Sequence, residues 1–198
     1  VDGVRMNTAI FRSGNLQNVI SIDPFAIENT EVFFGPGSVV YGSDAIGGVM
    51  SFQTLTPLFS TTENPQVQGH ATARFASANQ EKTGHFDVGV GWKKWAMISS
   101  LTTSDYSDLR MGSYGPDDYL RPYFSKRING EDVVIDNDQP QVQTPSGYSQ
   151  INLMQKVRFA PNAAWDIQYG FHHSASSEYA RYDPVSYTHL RAHETVLD

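Results

Sequence analysis

The chain has 198 residues, a formal net charge of −7 at neutral pH and no cysteine. The acidic balance argues against nucleic acid as a partner, and the missing cysteine removes both a disulfide framework and any thiolate metal site. No apolar run is long enough for a transmembrane helix, but strands that cross a membrane alternate in polarity and average out as polar, so a membrane β-barrel stays open.

The chain starts at Val1 with neither an initiator Met nor a signal peptide, and reads as a fragment. Residues 1–58 have a mixed texture. In "IDPFAIENTEVFF", Asp23 is suited to cap a short helix with Pro24 at its first position. Residues 31–34 are then β-branched and aromatic, as in a strand, and a second short strand is predicted at 49–54. Residues 59–65, "FSTTENP", read as a linker.

Beyond the linker, polar and apolar residues alternate in long runs. Phe86, Val88, Val90 and Trp92 are apolar at every second position, opposite His85, Asp87, Gly89 and Gly91. Ile151, Leu153, Val157 and Phe159 repeat the pattern, with Gln155 as its one break. Trp165, Ile167, Tyr169 and Phe171 repeat it again, opposite Asp166, Gln168, Gly170 and His172. Residues 67–77 and 95–106 are weaker versions. Five strands of roughly ten residues result, the length a tilted strand needs to cross a bilayer. Lys93–Lys94 and residues 160–164 are predicted tight turns, and 108–147 a long polar loop. With the first strand running outward, both tight turns fall on the periplasmic side and the long loop outside, and Trp92, Trp95 and Trp165 fall beside the tight turns as an aromatic girdle would. A soluble antiparallel sandwich, such as a carbohydrate-binding module, would alternate in the same way. A porin-like or autotransporter barrel would do so too, and five strands do not close a barrel.

The stretch "VFFGPGSVVYGSDAIGGVMSF" raises a phosphate-binding loop. A dinucleotide fingerprint needs a third Gly where Val40 stands, and a P-loop needs a Lys, whereas the first lysine of the chain is Lys82. The helix after Gly37 has room for about one turn before Gly42, so no long helix points its N-terminus at a ligand. With "VDGVRMN" upstream, "IENTEVFFGPGSVVYGSDAIGGVMSFQT" instead resembles the end of the plug domain of a TonB-dependent outer-membrane receptor. Ile27, Glu28, Glu31, Val32, Gly35, Pro36, Ser38, Tyr41, Gly42, Ala45, Gly47 and Gly48 stand in the places of that motif, while Thr30, Met50 and Phe52 depart from its commoner aliphatic residues.

The resemblance implies a mostly β chain: part of a transmembrane antiparallel barrel, about five strands, preceded by part of an α/β plug. Residues 1–58 would be the C-terminal part of the plug, 59–65 a linker and 66–184 the first barrel strands; a whole barrel of this class has about 22 strands. Gly35 and Gly37 would flank the turn into a one-turn helix that carries Tyr41, Gly42 would end it, and Gly47 and Gly48 would allow close packing. The family takes up a scarce nutrient (an iron complex, haem or a cobalamin-like ligand, or haem from a haemoprotein) across the bacterial outer membrane, driven by the TonB energy-coupling complex through an N-terminal segment not seen here. Within the family, the plug segments look closest to haem or haemoprotein receptors and cobalamin-like receptors. By the same resemblance Arg5, Arg12 and Asn15 would reach the plug apex under the ligand. Tyr114, Tyr119 and Tyr123 in the long loop, and His172 on the lumen side of a strand, are further candidate ligand contacts. No nucleophile with a base is visible, so no catalytic residue, resident cofactor or metal is assigned; Asp136 and Asp138 lack the Gly and closing Glu of a calcium loop.

His189 and His193 stand four apart, a zinc-like spacing on a helix. However, "VSYTHLRAHET", residues 185–195, is letter for letter one reading frame of the adapter DNA of transposase-based sequencing libraries. Residues 185–198 are therefore expected to be a non-native tail. Amplifying the locus from source DNA, with a primer inside the codons for residues 70–170, should give an unrelated barrel loop and strand after Pro184. A native frame that continued through "VSYTHLRAHETVLD" would restore the histidine pair.

Overall fold

The computed structural model describes residues 1–4, 21–35, 37–42, 45, 47–129 and 131–178. Asp23 opens the first of the described elements. Its Oδ1 accepts the Phe25 N–H at 3.0 Å, and a single 3-10 turn covers Pro24–Ala26. Only this turn forms where a short helix is expected, because Ile27 is already extended (φ −93°, ψ 128°). It joins strand β1, Ile27–Phe34, which pairs antiparallel with β2, Gly48–Thr54. The ladder runs from Ile27 opposite Thr54 to Phe34 opposite Gly48, with one irregularity between Ile27 and Asn29. β1 begins ahead of the predicted Glu31 since Ile27, Asn29 and Thr30 find partners on β2, which local propensity does not report.

The connection between these strands is one helical turn, α1, Ser38–Tyr41. Tyr41 N–H donates to Gly37 O at 2.9 Å, Gly37 N–H donates to Ala45 O at 2.8 Å, and Ala45 N–H donates to Gly42 O at 3.1 Å. Gly42 ends the turn at φ +95°, a conformation that costs an L side chain about 1–2 kcal/mol. Gly48 has φ +147°, and a Cβ there would lie 2.7 Å from Phe33 O across the hairpin.

A five-stranded sheet follows, made of β3 (Gln66–Ala76), β4 (Glu81–Gly91), β5 (Trp95–Tyr106), β10 (Tyr148–Asn162) and β11 (Trp165–Ser176), in the order β11-β10-β5-β4-β3. β10 continues through residues 160–162, so the turn predicted at 160–164 narrows to residues 163 and 164. The long loop has structure of its own. In it β6 (Leu109–Arg110) pairs with β9 (Val142–Gln143), and β7 (Tyr123–Ile128) pairs with β8 (Glu131–Asp136). Ile128 stands opposite Glu131 and Asn129 takes φ +53°. An Asn-Gly dipeptide between two strand-like runs is the usual signal for such a hairpin.

Two compact units divide the chain. The first holds the described residues of 1–72, 85–102 and 151–175, and the second holds those of 73–84, 103–150 and from 176. In the first, Ala26, Ile98 and Met154 form a small apolar core with Leu55 against it. There the stretch predicted as a linker is tied down. Ser60 N–H donates to Trp92 O at 3.1 Å, Ser60 Oγ reaches Asn64 O at 2.7 Å, and the carbonyl of Leu58 rests on Gly91, where no side chain would fit. In the second unit the loop stem is pinned by Ser107 N–H to Asn79 O (2.8 Å) and Arg110 N–H to Ala78 O (2.7 Å).

The hairpin geometry separates neighbouring glycines. A Cβ at Gly47 would meet nothing within 4 Å. Gly47→Ala should therefore leave the protease resistance of residues 21–58 unchanged in the full-length protein, while Gly42→Val and Gly48→Val should lower it sharply. Equal resistance in all three variants would refute the packing account.

Candidate functional site

The three central strands of the sheet, β4, β5 and β10, bury a largely polar face and expose an apolar one, while the flanking β3 and β11 are exposed on both faces. Glu81, Thr83, His85 and Asp87 of β4, Ser100, Thr102 and Ser104 of β5, and Asn152 and Lys156 of β10 are all buried. Phe86, Trp95, Met97, Leu101, Ile151 and Leu153, at the intervening positions, are exposed. A water-soluble sheet does the reverse. Gln155, the one break in the apolar face of β10, is matched by Ser99, whose Oγ lies 2.5 Å from Gln155 Oε1. The polar intrusion is thereby satisfied rather than left open. Trp95 stacks on Phe159, with ring centroids 4.1 Å apart.

Asp2 with the end of β2, and Asp23 at the entry to β1, bind the polar face at two places in the first unit. One is Lys156, which is 1% exposed. Its ammonium donates to Thr54 O at 3.2 Å and lies 3.0 Å from Asp2 Oδ2. Asp2 also accepts from the Thr54 N–H (2.9 Å) and the Thr54 hydroxyl (2.8 Å). Burial pushes the Asp2 carboxyl up, but those two hydrogen bonds and the Lys156 charge outweigh it, and its pKa falls below the ordinary 3.8. His172 joins this cluster, with Nε2 3.5 Å from Asp2 Oδ2.

The other contact is built on Asp23. Its Oδ2 accepts from the Thr102 hydroxyl at 2.6 Å. Thr102 Oγ1 lies 2.7 Å from His85 Nδ1, and His85 Nε2 lies 3.2 Å from Asp87 Oδ2. His70 Nδ1 is 3.2 Å from both Asp87 oxygens. The ring of Phe25 stacks on His85 at 5.2 Å with planes 21° apart. A further pair, Arg158 with Asp166, places the Arg158 guanidinium 4.9 Å from the Phe59 ring.

Of the candidate ligand contacts, Arg5, Arg12 and Asn15 lie outside the described residues, as do Pro36 of the glycine motif and the whole of residues 185–198. Tyr114 is fully exposed in the long loop and Tyr119 closes a 3-10 turn, Asp117–Tyr119. Tyr123 is the first residue of β7. His172 projects on the polar side of β11, but the group it meets is the carboxylate of Asp2, near the N-terminus. Gly35 takes φ +92°, and a Cβ at Gly37 would press on Val49 at 3.2 Å and Tyr41 at 3.4 Å. Tyr41 also packs its ring against Phe33 at 5.9 Å. Sequence reasoning missed Asp2, His85, Asp87, Thr102 and Lys156. Their signal was present as polar residues at the alternate positions of apolar strands, but nothing local says what they face.

The loop is braced by one carboxylate. Asp108 accepts from Thr144 Oγ1 (2.8 Å), Ser146 N–H (2.7 Å) and Gly147 N–H (2.8 Å). Burial pushes Asp108 up, these three donors pull it down, and the balance is again below 3.8.

The TonB-dependent Receptor Plug Domain family matches residues 1–49. The vitamin B12 transporter BtuB of Vibrio vulnificus (strain YJ016) is 27% identical over 183 residues, which cover 91% of this chain and 24% of that protein. A hemin receptor of Yersinia enterocolitica is 38% identical over 128 residues (60% of this chain, 17% of the receptor), and a ferrioxamine B receptor of Salmonella typhimurium (strain SL1344) is 30% identical over 88 (44% and 11%). No solved structure gives a significant match. These matches support a fragment of a TonB-dependent receptor, and the N-terminal hairpin lies in or next to the segment that matches the plug domain. It spans about a quarter or less of the length of these relatives.

Asp2→Ala leaves the Lys156 ammonium buried without its carboxylate, and should cost about 3–5 kcal/mol. Lys156→Met leaves a partly exposed Asp2 that keeps both Thr54 hydrogen bonds, and should cost less. Because the folded pKa of Asp2 is depressed below 3.8, its contribution is complete above that value and disappears as pH falls through the folded pKa. The Asp2→Ala penalty, read as a urea midpoint for loss of plug protection, should be flat from about pH 7 to about pH 5 and shrink as pH falls through the depressed Asp2 pKa below 3.8. Identical midpoints for wild type and both variants would remove the ion pair from the account.

Proposed function

We propose that this chain is the C-terminal part of the plug and the first wall strands of an outer-membrane transporter that takes up a scarce nutrient: an iron complex, haem or a cobalamin-like ligand. Residues 1–58 are read as plug, 59–65 as the connecting strap, 66–184 as wall and 185–198 as a non-native tail. The observation that carries the reading is the inverted centre of the sheet, buried on its polar face and exposed on its apolar face, with Asp23 and Thr54, of the part read as plug, bonded to the polar side. Lipid is the solvent in which such a sheet is stable. A soluble sandwich would bury Phe86, Leu101, Ile151 and Leu153, so their exposure weighs against that alternative, and a plugless porin has no use for the hairpin.

In this reading the wall polar groups hold the plug in the lumen, the loop at 108–147 faces the outside, and Tyr114, Tyr119, Tyr123, Arg5, Arg12 and Asn15 are candidate ligand contacts. Energy would come from the TonB complex acting on a segment N-terminal to the plug. Relatives named for vitamin B12, hemin and ferrioxamine B bracket the ligand class. The reading is tested with the full-length gene in an outer-membrane host. Uptake of one of cyanocobalamin, hemin or ferrioxamine B should appear and should stop when TonB is deleted. Uptake that persists without TonB would overturn it.

The wall itself is checked at two adjacent residues. A label at Val88 should be quenched by lipid-borne quenchers and one at Asp87 should not. Val88→Arg, near mid-strand, should cost about 2–4 kcal/mol. Equal quenching at both positions would sink the barrel.

A further inference from the structure

The tight turn between β4 and β5 borders an open groove of about 580 Å³ in the first unit, within the roughly 300–1,000 Å³ of small-ligand sites. Its lining is apolar at Trp92, Trp95, Met97 and Val157 and charged at Lys93, Lys94 and Glu63. The backbone fixes this arrangement. Trp92 N–H donates to Trp95 O at 2.7 Å across the two lysines, and Lys94 O accepts the Ala160 N–H of β10 at 2.9 Å. Trp95 is held by its stack on Phe159. Trp92, Trp95 and Met97 are nonetheless exposed.

The charges of the groove do not cancel. Lys93 pairs with Glu63 of the strap. Arg158, next to Val157 in sequence, is engaged by Asp166. Among the described residues the Lys94 ammonium has no ion-pair partner, so two lysines and one glutamate leave one positive charge, in a chain whose net charge is −7. We propose that this groove seats an anionic phospholipid of the phosphatidylglycerol type, its phosphodiester on Lys94 and its acyl chains along Trp95, Met97 and Val157. An ammonium has three hydrogens to donate, so Lys93 can serve the phosphate while it holds Glu63.

Charge and polarity together select this occupant. A phosphodiester brings the single negative charge that completes the set, and a glycerol head adds none. Phosphatidylethanolamine brings an ammonium as well, and the carboxylate that could answer it, Glu63, is taken by Lys93. A free phosphate would use the lysines but leave the exposed apolar lining uncovered. Lysine draws anionic lipid, and tryptophan settles at the level of the headgroups. The site rests on the transporter reading, in which the turn at 92–95 lies at the periplasmic end of the wall, so the lipid is one of the inner leaflet.

The test uses the full-length receptor in nanodiscs with equal mole fractions of phosphatidylglycerol and phosphatidylethanolamine, one of the two at a time carrying a diazirine in its acyl chain. Adducts are mapped by peptide mass spectrometry. Labelling of residues 92–97 should favour phosphatidylglycerol about fivefold, the factor that about 1 kcal/mol per lysine beside anionic lipid implies. Lys94→Gln should remove the preference, and Lys94→Arg should keep it. Glu63→Gln, which releases Lys93, should raise it. Lys82→Gln, on β4 but outside the groove, should leave it unchanged. Equal labelling by the two lipids in the wild type, or a preference that survives Lys94→Gln, would overturn the lipid site and leave the wall reading standing. Labelling by neither lipid would overturn both.

Discussion

A lysine ammonium buried to 1% exposure can persist only where its charge is answered. In this chain Lys156 on β10 is answered by Asp2, near the N-terminus, and by the carbonyl of Thr54 at the end of β2. Sheet and N-terminal segment therefore require each other. Without Asp2 and Thr54 the sheet would hold a naked charge. Without Lys156 the Asp2 carboxylate would keep only its hydrogen bonds to Thr54. The rest of the polar face follows the same constraint: Asp23, Thr102, His85 and Asp87 satisfy one another in series. These contacts are hydrogen bonds and ion pairs rather than apolar packing, which suits two parts that must seal against each other and, in the proposed function, part again.

The glycines act at a different level. They let the hairpin turn and let backbones touch: Gly42 closes α1, Gly48 lies against Phe33 O, and Gly91 carries the Leu58 carbonyl. This last contact changes how residues 59–65 are understood. A Ser, Thr, Asn and Pro composition reads as flexible, but Ser60 binds Trp92 and Asn64, and Pro57 is buried. The connection leaves the hairpin along a fixed track. The loop at 108–147 shows the same contrast between polar composition and held structure, because Asp108 gathers three donors at its base and two small ladders stiffen it.

The sequence by itself determined the five long strands, their alternation and the plug motif. These are local properties: period two in polarity, turn residues between the runs, and glycines at ordered spacings. It also marked Asp23 as a cap, since that hydrogen bond reaches only two residues ahead. What it left undecided was which face of each strand is inside, because alternation is symmetric between a soluble sheet and a membrane wall. Only the packed structure shows which face is covered: Asp87 and Lys156 are buried, and Phe86 and Leu153 are exposed. Tertiary structure alone also paired Asp2 with Lys156, 154 positions along the chain, and Asp23 with Thr102, since such partners are chosen by strand register and not by any neighbour in sequence. His172 shows the limit most plainly. Its side of the strand was legible from period two, but the carboxylate it meets belongs to residue 2, and no local pattern carries that information.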